Sequence, residues 1–140
     1  MILPDIPILV HAHRKESPYH EKAAEHLLKL AQSPSPFALC SFVCTGFLRL
    51  VTNPKIFVEP SSLEIALRFV DSLLQLEHCQ LREPGPRHWA LFSALLKENR
   101  AMGSLVSHAY LAALAMEHAC ELLTQDKDFL KFPELKMQAF

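Results

Sequence analysis

The chain has 140 residues, half of them hydrophobic, and a formal charge of −1 with its histidines neutral. That length suits one domain over residues 1–140 around an ordinary core, and the near-zero charge excludes an overall basic field that would announce a nucleic-acid partner. No apolar run reaches the roughly 18 uncharged residues of a membrane span, and MILPDIPILVHAHR has no basic region ahead of its apolar stretch, so a soluble, cytoplasmic chain without a signal peptide is expected.

In chain order, Ile2-Leu3 reads as a short strand, and Asp5 then caps a helix that tolerates Pro7 in its first turn. Residues 18–32 form an amphipathic helix in which Ala24, Leu27, Leu28 and Ala31 recur at helical spacing. SPSP at 33–36 is a turn. Phe37 to Cys40 is a short apolar piece leading into the helix FVCTGFLRLVT, which Asn53-Pro54 ends. The helix LEIALRFVDSLLQL follows, with Leu63, Ala66, Leu67, Val70, Leu73 and Leu74 on its apolar face. Cys79 to Glu83 reads as a strand and Pro84-Gly85-Pro86 as a turn. Residues 87–99 form a helix in which Trp89 alternates with core residues, and Gly103 breaks the pattern. A helix over 104–119, a strand Glu121 to Thr124, the acidic turn QDKDF and a last strand near Leu135 to Met137 complete the chain.

Short strands separated by helices, with no hairpin signals, imply an α/β fold: a mainly parallel sheet with helices on both faces. Ligands of such sheets lie beyond the carboxyl ends of the strands, which selects Asp5, Asp126 and Asp128. Clustered carboxylates are the hard oxygen donors that Mg²⁺ or Mn²⁺ prefers. The alternative is that Asp5 is only a helix cap and the other two only a polar turn. Phosphate-binding, nucleophile-elbow, zinc-protease and dinucleotide motifs are absent. Cys40, Cys44, Cys79 and Cys120 form no CxxC pair and read as buried thiols, although Cys40 and Cys44 with a nearby histidine leave a zinc or redox alternative open. Arg14, Lys15, Arg49, Lys55, Arg82, Arg87, Lys127 and Lys131 are the cations from which a local RNA-binding patch would be drawn.

Four blocks, ILPDIPILVHAHR, GFLRLVTNPKIF, GSLVSHAYLAALAMEHA and LLTQDKDFLKFPEL, resemble in order and spacing the PIN-domain ribonucleases, and within them the VapC-type toxins of bacterial toxin-antitoxin pairs. The resemblance runs from residue 1 to residue 135. It implies an α/β/α sandwich, an acidic pocket holding Mg²⁺ or Mn²⁺, and endonucleolytic cleavage of RNA of the transfer or ribosomal class by metal-activated water. It also implies a homodimer and a cognate antitoxin that blocks the site.

Carried over by residue, Asp5 matches the family's first acid in a D-x-N block, with Pro7 where the asparagine would stand. Asp126 and Asp128 match the closing T-x-D-x-D-F block. These three are the expected metal carboxylates. Arg14, Lys15 and Lys127 are the expected RNA contacts. The helix-borne glutamate of many members is missing, because Thr45-Gly46-Phe47 carries glycine there.

His108 stands where an aspartate heads the L-V-x-D-A block, a catalytic position and that of a fourth ligand. Neutral imidazole suits Mn²⁺ or Zn²⁺ better than Mg²⁺ and removes a negative charge. Three readings follow: a ligand in a site retuned for Mn²⁺, a decayed site on a PIN domain that binds an antitoxin or RNA without cutting, or a satisfied polar residue in a shifted helix register. His11 and His13 are expected to be ordinary, partly exposed residues. Tyr110 is a possible stacking surface and Trp89 a packing residue.

Overall fold

The computed structural model describes residues 1–140. Five short parallel strands lie in the order β3-β2-β1-β4-β5: β1 Ile2–Pro4, β2 Phe37–Leu39, β3 Cys79–Leu81, β4 Glu121–Thr124 and β5 Met137–Ala139. Six helices flank them: α1 Ile6–His13, α2 His20–Gln32, α3 Ser41–Val51, α4 Leu63–Leu74, α5 His88–Asn99 and α6 Ser104–Glu117. None is long and apolar enough to cross a membrane. The chain leaves β1 toward β2 on one side and returns from β3 to β4 on the other, so the strand order reverses between β1 and β4. In open parallel sheets that point opens a crevice at the carboxyl ends of the strands.

Burial on both faces explains the sequence of the central strands. Leu3, Phe37, Ala38, Leu39, Leu122 and Leu123 are buried with no alternation. The Phe37 piece is therefore a strand, which passes through Cys40 directly into α3. Ser62 caps α4 by accepting from the Ile65 amide at 3.2 Å. Gly103 precedes α6 at φ +60°, a conformation in which a side chain would be strained.

Three expectations are corrected. The last strand is Met137–Ala139, because Leu135 turns into the core and pairing with β4 begins only where the Leu122 amide reaches the Lys136 carbonyl. Trp89 is 73% exposed: α5 buries His88, Phe92 and Leu95, and the next position lies about 100° around the helix from that stripe. On α4 the core takes only Ala66, Val70 and Leu73, leaving Leu63, Leu67 and Leu74 in solvent.

All four cysteines are free, and Cys40, Cys44 and Cys120 are buried. Burial first, then neighbouring thiols and Glu83, pushes the Cys40 thiol up to about 12 and Cys44 up to about 11, so neither supplies a thiolate. No third ligating side chain joins Cys40 and Cys44, so the geometry gives the zinc alternative no support. The one group of three metal-ligating side chains in the chain lies elsewhere.

Candidate metal and phosphodiester site

The sheet places Asp5 and Thr124 side by side, since Pro4 pairs with Leu123 and the Asp5 amide donates to the Leu123 carbonyl at 2.9 Å. Asp5 is 5% exposed. Its Oδ1 accepts from the Ile6 amide at 2.7 Å, capping α1, and its Oδ2 accepts from the Thr124 hydroxyl at 2.8 Å. Thr124 Oγ1 in turn accepts from the Asp126 amide at 3.0 Å, so one buried hydroxyl ties the ends of β1 and β4 together. Burial raises the Asp5 pKa above the usual carboxylate value, overriding the Thr124 and Ile6 hydrogen bonds and the nearby His108 charge that favour ionisation.

Asp126 opens a 3-10 turn over Lys127–Lys131, its Oδ1 accepting from the Asp128 amide at 2.9 Å. Its Oδ2 lies 2.7 Å from His108 Nε2. The other ring nitrogen of His108, Nδ1, lies 2.7 Å from the Ser104 carbonyl one turn back on α6. A carbonyl and a carboxylate can only accept, so satisfying both requires two N–H groups and therefore an imidazolium. The surrounding charges act in the same direction. Burial would lower the His108 pKa, but the Ser104 carbonyl and the Asp126 and Asp5 carboxylates raise it above 6.5. Asp126 is shifted down: burial opposes this but is outweighed by the Asp128 amide, then His108 and Lys131.

His108 is thus a satisfied polar residue, but its register turns it toward Asp126 and the site, tilted on Phe129 with ring centroids 4.8 Å apart. In the absence of an ion, the Asp126 carboxylate and the Ser104 carbonyl favour the protonated ring. Ligand atoms of His108, Asp126 and Asp128 lie within 4.8 Å of one another, a set of one imidazole and two carboxylates that fits a divalent cation once Nε2 releases its proton. Asp5 lies outside that trio but lines the same cavity of about 70 Å³ as His108, with Ile6, Phe42, Ser107 and Phe129. Each of its oxygens keeps a second lone pair.

The basic residues separate. Arg14 is committed to structure: it packs over Phe57 at 4.3 Å, donates to the Glu59 carbonyl at 2.7 Å and the Ser61 hydroxyl at 3.0 Å, and pairs with Glu16. Lys15 and Lys127 are exposed, the latter between the two aspartates. His13 bonds to Ser61 Oγ at 2.9 Å. His11 accepts from Gln125 at 3.0 Å through Nε2 and contacts Ser17 through Nδ1, bracing the turn that carries Asp126. Thr124 is the residue joining these acids to which sequence reasoning gave no role. A hydroxyl at the end of a buried strand, two residues before an acid, is the signal that marks it.

Residues 2–135 match the PIN domain family, and the chain belongs to it. Within that family it is 36% identical over 136 residues to ribonuclease VapC25 of Mycobacterium tuberculosis, covering 97% of this chain and 96% of that protein. It is 36% identical over the same length to VapC ribonuclease Mb2897 of Mycobacterium bovis, covering 97% and 92%. Among solved structures, VapBC2 from Rickettsia felis bound to a promoter DNA fragment superposes with a TM-score of 0.70 at 17% identity, over 99% of this chain and 98% of that one, a likeness of fold.

Proposed function

We propose that the chain is a VapC-type toxin, a metal-dependent endoribonuclease, and that Asp5, His108, Asp126 and Asp128 form its active site. One observation carries this reading. At the reversal point of the sheet, in a chain 36% identical to named ribonucleases, Asp126 and Asp128 meet His108 within 4.8 Å while Asp5 shares a cavity with that histidine.

Asp126, Asp128 and a deprotonated His108 would hold the ion, with Mn²⁺ favoured over Mg²⁺ by the imidazole. Once bound, the ion lowers the pKa of a water and offsets charge developing on the phosphodiester. The chain's own groups do the rest. Thr124 fixes the Asp5 carboxylate and the Asp126 backbone in one geometry. Asp5, whose oxygens each keep a lone pair beyond their bonds to Ile6 and Thr124, would add a third carboxylate toward the ion from the same cavity. Lys15 and Lys127 are exposed cations for neighbouring phosphates; Arg14 serves there only at the expense of its loop contacts. The partners in this reading are RNA of the transfer or ribosomal class, a second copy of the chain and a cognate antitoxin, all in the cytoplasm; VapBC structures among the structural neighbours support the antitoxin.

A second reading is favoured by the His108 to Asp126 pair itself. The imidazolium neutralises one carboxylate internally, which suits a domain that binds antitoxin or RNA without cutting it. Cleavage of a pool of cellular RNA with Mg²⁺ or Mn²⁺ decides between the two. Cleavage by the unaltered protein that vanishes in Asp5→Asn establishes the nuclease. Silence in the unaltered protein, with activity gained in His108→Asp, establishes the binding module.

A further inference from the structure

A cleft of about 350 Å³ opens beside the small cavity that holds Asp5 and His108, and Ile6, Phe42 and Ser107 line both. Gly46 lines it in close contact with Ile6: a Cβ there would stand 2.4 Å from Ile6 Cδ1, so a side chain at 46 would force Ile6 to move. Phe42 and Tyr110 stack across the cleft wall, with ring centroids 5.0 Å apart and planes at 30°. Arg49 is the one cation lining it. Arg14, Arg68, Arg82 and Arg87 are each bonded within the chain, whereas no hydrogen bond or ion pair of the chain engages the Arg49 guanidinium. The hydroxyls of Thr45, Ser107 and Tyr110, which share the cleft, are likewise without partners in the chain. Glu83 has Oε1 occupied by the Ser41 amide at 2.6 Å, which fixes the carboxylate at the rim with its second oxygen available.

We propose that this cleft is the subsite for one nucleotide flanking the scissile phosphodiester of a single-stranded RNA. The proposal rests on the ribonuclease reading and deepens it. Aromatic faces accept a base of any kind, a lone guanidinium accepts a phosphate, and a fixed carboxylate oxygen accepts from an N–H on the base's pairing edge. The shared wall at Phe42 and Ser107 makes the strand continuous from this subsite to the carboxylates. An acidic peptide would satisfy Arg49 but would leave the aromatic pair and the hydroxyls without a role.

The test is fluorescence anisotropy of a short labelled single-stranded RNA with the full chain in EDTA, so that the readout is binding and not turnover. Phe42→Leu weakens binding about tenfold through lost stacking. Arg49→Ala weakens it about fivefold or more and lowers the slope of log affinity against log salt by about 0.7, while Arg49→Lys restores the slope. Arg49 is exposed, so its variants fold whatever becomes of Phe42→Leu. Absence of binding by the unaltered protein, binding unchanged in both Arg49→Ala and Phe42→Leu, or displacement of the RNA by a polyglutamate peptide at equal concentration overturns the subsite. The two readings fail separately. Variants that weaken binding as stated, in a protein that cuts no RNA with any cation, remove the nuclease and keep the subsite; cleavage by a protein whose variants bind normally does the reverse.

Discussion

His108→Ala tests the electrostatics of the site most directly, and its effect on stability should depend on pH. The substitution removes the Nε2 to Asp126 Oδ2 contact at 2.7 Å and the packing of the ring on Phe129. A hydrogen bond between charged partners contributes about 1.5–3 kcal/mol when shielded from solvent. Here the histidine side chain is 18% exposed and the Asp126 side chain 35% exposed. Solvent screening then brings the pair down to about 1–2 kcal/mol, with lost packing adding about 1 kcal/mol at every pH.

Because the folded pKa of His108 is raised, the pair's contribution is fully present below 6.5 and is lost as pH rises through the folded value. Asp126 is shifted down, so its share is present above 3.8 and is lost as pH falls through its lower folded value. Thermal melts in EDTA should therefore show His108→Ala lowering Tm by about 6–9 °C near about pH 5.5 and by about 3 °C near about pH 9. An equal drop at both pH values, or a larger one in alkali, would refute the imidazolium and with it the argument that the Asp126 and Ser104 oxygens hold its proton.

Thr124→Val keeps the shape of a buried side chain but deprives Asp5 of a donor and leaves the Asp126 amide without an acceptor. Urea unfolding should show a loss of about 2–4 kcal/mol, and RNA cleavage should fall with it. Glu117 accepts from the Gly85 amide at 2.7 Å and the Arg87 amide at 2.8 Å, with its side chain 5% exposed. Glu117→Ala should destabilise by about 1–3 kcal/mol in urea and loosen the 84–87 turn beside the cleft. Burial raises the Glu117 pKa less than those two amides lower it, so its contribution is present above 4.5 and is lost as pH falls through the lower folded value. Glu117→Gln should flatten that acid limb of the stability curve. His108→Asp restores a carboxylate in place of an internal counterion, so calorimetric titration should show Mn²⁺ and Mg²⁺ binding at least about tenfold tighter, with the larger gain for Mg²⁺.

The alternation of short apolar runs with 3.6-period segments was enough to read a parallel α/β sheet, because strands buried on both faces and helices with one apolar stripe leave different traces in a sequence. Position after a strand end likewise marked Asp5, Asp126 and Asp128, since ligand crevices form where parallel strands stop. Periodicity could not say which flank of a stripe meets the core. Leu67 and Trp89 carry the right chemistry at the right spacing, yet they lie in solvent because no neighbouring element covers that side. The surroundings of His108 are a property of the fold alone. Nothing in Ser-His-Ala foretells that Nε2 will meet an aspartate 18 residues onward while Nδ1 meets a carbonyl one turn back. Nor does a glycine at 46 reveal that Ile6 packs into the space its side chain would take, or that both line a cleft with Arg49. Local order follows from side-chain type and spacing, which a sequence contains. Charge state and cavity shape follow from which distant groups share a few ångströms of buried space, and that is fixed only when the strands are paired and the helices packed.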